Sequence, residues 1–593
     1  NLPGLRSGFV AGSAANIAQI RRLRAYAGAP LSLPAQAVSE AAWRDEAHVA
    51  ASRALYQQKY AIADRVLGNV AVRLWPATLQ IFAMALGALA VLLTLGERPL
   101  GRVGRWLDVT LGLRTLGAGA LGYVLLALVA ISATAGGLIN ANEGAWVALV
   151  GAILVLAGGL LLPQRELHDF RAARIPGWAE IATIAALLAA SLIIAAYALG
   201  QKDGWVFVLL IVATIVACAA LARAGFFQWF SMVAQRHRRV LTLAAFAVAF
   251  LFPFTQDGSD ANMSIASGVL IFAATAIGLN IVVGLAGLLD LGYIAFLGAG
   301  AYVAAMLSTS IFATTVHWKP PFLVVMLIGA LVSACLGLLV GSPTLRVSGD
   351  YLAIVTLAFG EIFRLTMLNL DGKNGPNLTR GPNGISAIPD LVIPGHWIGL
   401  PDFDFGQKHE VLGITLGRYA NYYFLLLVLT AFIVLVFTHL NDSRIGRGWV
   451  AIREDERAAE AMGVNVFGLK LLAFAGGAFL AGLAGTIKAH QDSSVSPDQY
   501  QFLESAFLLA AVVLGGMGTV AGVLLGAVLL KMMPEKLRFL NEYRLLIFGL
   551  LLVLMMRFRP EGMVASRRRR LEFHEDDEEL ADEAGLQHVE VAR

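Results

Sequence analysis

The chain has 593 residues, 58% of them hydrophobic and 15% charged, with a formal net charge of +4 and a mean hydropathy of +0.70. Soluble globular chains sit near roughly 45–50% apolar and 25% charged, so this composition excludes an ordinary soluble protein and predicts an all-α, polytopic transmembrane bundle. The positive charge falls in short basic segments between apolar runs, a pattern of membrane topology rather than of nucleic-acid binding.

A bilayer core of about 30 Å needs about 20 apolar residues in a helix. Residues 1–78 hold no such run and carry Arg21, Arg22 and Arg24. Suitable runs follow at 79–95, 116–138, 145–163, 177–199, 205–224, 240–255, 264–286, 290–312, 322–342, 349–370, 420–440, 467–489 and 541–557. Cys218 and Cys335 lie far apart inside two of these runs and read as small buried hydrophobes, not a disulfide. Basic residues mark alternate connections as cytoplasmic: Arg98 to Arg114, Arg165 to Arg174, Arg236 to Arg239, Arg346, and Arg444 to Arg457.

The run 503–531 breaks this alternation. Arg567 to Arg570 place the C-terminus in the cytoplasm, as Arg444 to Arg457 do for their own loop, so an even number of crossings separates the two. The spans 467–489 and 541–557 supply two, and 503–531 is too short for two more at about 20 residues each. A broken, re-entrant helix pair resolves the parity, with its break at Gly515-Gly516-Met517-Gly518. Irregular backbone at membrane depth is tolerated only where it is buried in protein or lines a water-filled path. The loop from Asp371 to Tyr419 falls on the outer face and is rich in turn formers; it reads either as a receiving surface for a soluble partner or as a solvated connector. The tail after Leu571, with Glu575 to Glu579, reads as solvated and disordered.

One charged island interrupts the apolar runs, from Ser443, Arg444, Gly446 and Arg447 through Arg453, Glu454, Asp455 and Glu456 to Ala458, Ala459 and Gly463. Ile445, Trp449 and Ile452 share one helical face. Arg453 to Glu456 form a charged turn, Ala458 and Ala459 are small enough to let another backbone approach, and Gly463 ends the unit. From the residues alone the island is either a helix that slots into a partner's groove or an amphipathic helix on the membrane surface.

The island resembles the loop through which permeases of ATP-driven (ABC) importers contact their ATPases. That pattern runs Glu-Ala-Ala, three residues, Gly; Ala458, Ala459 and Gly463 match it, Arg457 stands in place of the Glu, and Glu456 is one position early. Further stretches resemble branched-chain amino acid permeases of the LivM type: Gly284 to Phe296, Gly298, Gly300 to Tyr302, Arg346 to Leu357, Phe359 to Ile362, Gly381 to Ile385 and Gly515 to Thr519, in that order. The resemblance covers roughly 260–560.

It implies a permease subunit of the inner membrane that works with ABC ATPase subunits, a second, LivH-type permease and an external solute-binding protein. On this reading the chain divides into 1–78, additional spans over 79–235, a permease domain over 236–560 and a charged tail over 561–593. No G-x-x-x-x-G-K-[ST] phosphate loop occurs in the sequence, so the chain is expected to bind no cofactor and ATP to be bound and hydrolysed by a partner. A urea or short-amide permease and an ion-coupled secondary transporter are the rivals. Asp290 and Tyr293, rather than Ser and His, favour the amino-acid type.

Ionisable residues inside spans are costly and are functional candidates by default. Asp290, Tyr293, Gly298, Gly300, Gly515, Gly516 and Gly518 form the candidate translocation path, within 264–312 and 503–531. Asp290 reads equally as a path residue or a helix cap. Glu361 and Arg364, three apart, are expected to neutralise each other, and Lys470 to snorkel toward the membrane surface.

Overall fold

A computed structural model describes residues 76–95, 109–135, 141–162, 176–201, 203–309, 320–344, 350–373, 375–393, 403–411 and 413–537, with a few isolated positions and 562–564. Residues 1–75, most of the run 541–557, the Arg567–Arg570 cluster and the acidic tail lie outside the described residues.

Apolar runs bounded by turn formers become helices because, in lipid, the backbone must satisfy its own hydrogen bonds. The first group is α1 (Pro76–Leu95), α2 (Val109–Ala135), α3 (Glu143–Leu161), α4 (Gly177–Gly200), α5 (Gly204–Arg223), α6 (Phe226–Arg236) and α7 (Arg238–Leu251). The second is α8 (Asp260–Asn280), α9 (Ile294–Thr309), α10 (Phe322–Thr344), α11 (Asp350–Asn369), α12 (Arg418–Asp442), α13 (Arg444–Glu454), α14 (Glu456–Ala461), α15 (Val466–Asp492), α16 (Phe502–Gly515) and α17 (Val520–Lys536). Ten helices among the described residues are long and apolar enough to cross a membrane. The protein is a multi-pass membrane protein.

Two large hydrophobic cores and two smaller clusters form among the described residues. One joins α1, α2 and α5 through Leu79, Leu116, Tyr123 and Ala220. The other joins α8, α9, α12, α15 and α16 through Ile277, Phe296, Ile433, Ala481 and Leu508. Close helix approach in the second core rests on small residues, as expected where lipid gives no hydrophobic drive between helices. A side chain at Gly485 of α15 would run into the Leu297 carbonyl of α9, and one at Gly482 into Ser333 of α10.

The hairpin of α16 and α17 is the broken pair that the parity of crossings predicts. Fourteen residues of α16, at about 1.5 Å each, reach about 21 Å, short of a 30 Å crossing. The chain reverses at Gly516, φ +120°, and Gly518, φ +77°, a conformation open to glycine. The two arms then pack at Gly515 against Gly522 and at Gly526 against Ala511.

Three features depart from expectation. The basic segment after α5 is not a plain loop: Gly225 turns the chain, φ +80°, into the amphipathic α6, whose Trp229 and Val233 pack on Ile184. The buried Glu180 holds this corner, accepting from Arg236 Nη1 at 2.6 Å and meeting His237 Nε2 at 2.8 Å. Both cysteines are free and exposed on the outer faces of α5 and α10, because a span that faces lipid turns apolar residues outward. The loop after α11 folds into a cap. Its strand β1 (Ile385–Ser386) pairs with β2 (Ser494–Val495) after α15, while Arg418 binds Asp390 at 2.6 Å and donates to the His490 carbonyl at 2.9 Å.

Gly485→Leu is expected to force α9 and α15 apart at a cost of about 3 kcal/mol. Gly476→Ala on the same helix, where nothing stands within 4 Å, is expected to be neutral or stabilising by about 0.5–1 kcal/mol. Thermal unfolding of the two variants in detergent checks the contrast.

Candidate functional site

The island folds as two helices set at an elbow. Ser443 Oγ accepts from Gly446 N–H at 3.2 Å and starts α13. The helix ends at Asp455, whose backbone is extended (φ −153°) and whose Oδ1 accepts from Arg457 N–H at 2.9 Å and Ala458 N–H at 3.0 Å. The charged turn is therefore the N-cap of α14. Gly463, φ +82°, closes the unit, its N–H donating to the Glu460 carbonyl at 2.9 Å.

One face of the elbow is fixed to the bundle. Trp449 is buried and its indole N–H donates to the Leu469 carbonyl at 2.7 Å. Ile452 and Ala459 are buried beside it. Lys470, expected to snorkel, instead binds Glu456 Oε1 at 2.7 Å, because α14 folds back over the start of α15. The other face is open: Arg444, Arg447, Ala451, Glu454, Asp455, Arg457, Ala458, Glu460 and Gly463 are exposed, and Met462 is 84% exposed. Small and apolar side chains stand there among charges of both signs.

Arg453 links the elbow to the helix breaks. Its Nη1 donates to the Gly284 carbonyl at 2.9 Å, and its stem lies where a side chain at Gly287 would be. Gly284 sits in a π-helical turn, Ile281–Leu285, at the end of α8, a feature that frequents functional sites. One turn earlier, the fully buried Asn280 accepts from Gly518 N–H at 2.9 Å through Oδ1 and donates to the Thr519 carbonyl at 3.4 Å through Nδ2. The elbow thus touches the π turn, and the end of α8 touches the tip of the hairpin. Residues 562–564 complete the tip: Met563 and Val564 N–H donate to the Leu514 and Gly515 carbonyls at 2.9 and 3.0 Å.

The segment before α9 is held by three other helices. Leu291 N–H donates to Thr356 Oγ1 at 3.1 Å, Tyr293 OH to the Gly477 carbonyl at 2.6 Å, and Ile294 N–H to Ser505 Oγ at 2.9 Å. Asp290, 1% exposed, accepts from Gly292 N–H at 2.9 Å through Oδ1, and its Oδ2 has no partner. Gly298 lies under Phe363 and Tyr500, and Gly300 against the Gly482 carbonyl. Gly515, Gly516 and Gly518 form the hairpin tip. Glu361 and Arg364 form a bidentate pair at 2.5–3.0 Å.

A cavity of about 790 Å³ opens between α8, α9, α15, the hairpin and the α4–α5 turn, on the side of the molecule away from the island. It is lined from both stretches expected to form the path, by Ile271, Phe272 and Thr275 of one and Glu504, Leu508 and Lys531 of the other. None of the seven candidate path residues lines it. Sequence reading passes over Asn280, which hides in an apolar run, and takes Arg453 only as part of the charged island, without its bond to Gly284.

Residues 261–556 match the family described as branched-chain amino acid transport system, permease component. Over 344 residues the chain is 40% identical to the high-affinity branched-chain amino acid transport system permease protein LivM of Salmonella typhimurium, covering 56% of this chain and 76% of that protein. LivM of Escherichia coli is 39% identical over the same coverage. LivH of Salmonella typhimurium is 24% identical, over 49% of this chain and 91% of LivH. No solved structure matches the chain. The chain belongs to the branched-chain amino acid permease family. It is a permease subunit, and the family match spans the second core, the island and the hairpin while leaving α1–α7 outside.

Trp449→Ala in this permease is expected to cost about 3–5 kcal/mol of local packing, and Trp449→Phe only the hydrogen bond, about 1 kcal/mol. Hydrogen exchange over 444–461 should accelerate strongly in the first and little in the second, with the α15 amides still protected in both.

Proposed function

We propose that this permease is the membrane subunit of an ATP-driven importer of branched-chain, apolar amino acids in the cytoplasmic membrane. The carrying observation is the elbow at 443–463: an exposed, mixed-charge surface whose inner face is bonded to α15 and to the π turn, which Asn280 in turn ties to the hairpin tip. An ATPase subunit docks there, on the cytoplasmic side, and binds and hydrolyses the ATP that this chain has no motif to hold. Its movement reaches Gly284 through Arg453, and the hairpin tip through Asn280. Residues 562–564 lie against that tip, which favours a cytoplasmic C-terminus.

The cap formed by β1, β2 and the Asp390–Arg418 pair is the surface for an external solute-binding protein. A second permease of the same family completes the membrane unit; the similarity to LivH as well as LivM supports that pairing. ATP acts by favouring one of two packed arrangements, and can shift them only by its difference in affinity for the two.

Gly463→Asp tests the reading. Nothing stands within 4 Å of the added carbon, and the left-handed backbone there strains aspartate less than most residues, by about 1 kcal/mol, so the fold should survive. The variant is expected to lose co-purifying ATPase and at least tenfold of ATP-dependent leucine uptake in vesicles. Leucine uptake by the purified chain alone, insensitive to ATP and to this substitution, would refute the proposal.

A further inference from the structure

Helix α4 belongs to the N-terminal group, and its last turn is seated in the permease. Along its second half side chains face outward, with Ile193 68% and Tyr197 42% exposed, but Leu199 at its end is 3% exposed. Leu199 clusters with Met263 and Ala266 of α8 and with Tyr423 and Leu427 of α12, and Met532 of α17 packs beside them. Burying a leucine side chain is worth roughly 1.5–3 kcal/mol over leaving it exposed, which favours this seat over a helix end lying free in lipid.

The turn that follows lines the cavity away from the island. Gly200, Gln201 and Gly204 share its lining with Gly268 of α8 and with Lys531 and Lys536 of α17. The family match begins at residue 261, so this part of the wall comes from outside the matched permease. Lys536 ties it to the hairpin, donating to the Gln201 carbonyl at 2.9 Å and to the Leu199 carbonyl. The last carbonyls of a helix lack partners within it, a cation is favoured beside them, and a charged donor makes the stronger hydrogen bond. The next residue, Leu537, is buried in the core of α1, α2 and α5. The turn and the outer end of the hairpin are thus joined by a polar contact and by a shared core.

We propose that the α4–α5 turn is a wall of the outer mouth of this cavity, latched to the hairpin by Lys536, so that the N-terminal helices restrict access to the permease from its outer side. The orientation of the mouth rests on the permease reading. The wall gives the N-terminal helices a part in solute entry that the matched permease does not itself supply.

The test reads access with a thiol. Cys218 and Cys335, both exposed, are replaced by alanine, and Gly268→Cys is introduced, since a carbon added there meets only the Lys531 stem, at 3.9 Å. The full importer assembly is placed in nanodiscs without ATP, and labelling by a water-soluble methanethiosulfonate is timed by mass spectrometry. Lys536→Met is expected to raise the labelling rate at least about fivefold, the weight of one lost hydrogen bond. Lys536→Arg, which keeps the charged donor, should stay near the wild-type rate, with thermal unfolding the same in both. Equal rates in all three overturn the latch. A second measurement leaves Lys536 intact: Gln201→Cys coupled to a bulky maleimide should take up leucine into vesicles about fivefold more slowly than the same variant uncoupled. Unchanged uptake after complete coupling overturns the wall. Should the uncoupled assembly take up no leucine, the permease reading fails, and the labelling rates still decide the wall.

Discussion

A helix broken inside an apolar bundle exposes backbone groups that have no water to turn to, and the arrangement of this protein follows from how those groups are satisfied. Two breaks lie side by side, the π turn at 281–285 and the hairpin tip at 516–519. Asn280 serves both, since its amide bonds Gly518 and Thr519 from the turn before the first break. The Gly284 carbonyl takes Arg453, and the last carbonyls of α16 take Met563 and Val564. Each repair reaches a different part of the chain, so the elbow, the π turn, the hairpin and the 562–564 segment share one hydrogen-bonded node. Displacement of the elbow cannot leave the hairpin tip unaffected without leaving one of these groups unpaired. This is a chain of contacts, and it becomes coupling only if the elements have two packed arrangements.

Much of this was legible in the sequence because membrane spans are governed by length and hydropathy. The helices α1 to α5, α8 to α12 and α15 lie where the apolar runs predict them. The hairpin followed from a counting constraint together with Gly515, Gly516 and Gly518, and the inner face of the island from the spacing of Ile445, Trp449 and Ile452. Other features depend on partners distant in sequence. Asn280 sits within an apolar run, and its partners are 238 and 239 residues away. Arg453 has the composition of a surface charge until the fold brings the Gly284 carbonyl to it. Lys470 near a span end suggests snorkelling, but α14 offers Glu456 at closer range. The helix α6 is short and amphipathic, so a search for long apolar runs passes over it.

Glycines show why the solute path was harder to read. A glycine inside a span can leave room for a solute or room for another backbone, and the two uses have one sequence signature. Gly298 and Gly300 serve the second use here: α9 lies against Phe363, Tyr500 and Gly482 with no space between. Polar residues without partners are the sharper signal, because burial without a hydrogen bond is costly whatever the surrounding packing. Asp290 and Gln491 meet that criterion, each with a buried side-chain oxygen that has no partner among the described residues, although Gln491 is not conspicuous in the sequence.

The first helices have their own core, yet they meet the permease at a particular place. Leu537, just after α17, belongs to the core of α1, α2 and α5. Lys536 donates to the carbonyls of Leu199 and Gln201 at the α4–α5 turn. The outer end of the hairpin is therefore held by the N-terminal bundle, and its inner end by Asn280. A helix pair tied at both ends, with glycine contacts along its length, resists bending or unravelling. The motion left to it is displacement of its packed arms relative to α8 and α15, which are the walls of the cavity on its outer side. On this geometry the N-terminal helices hold the α17 end of the hairpin, and Asn280 holds its tip.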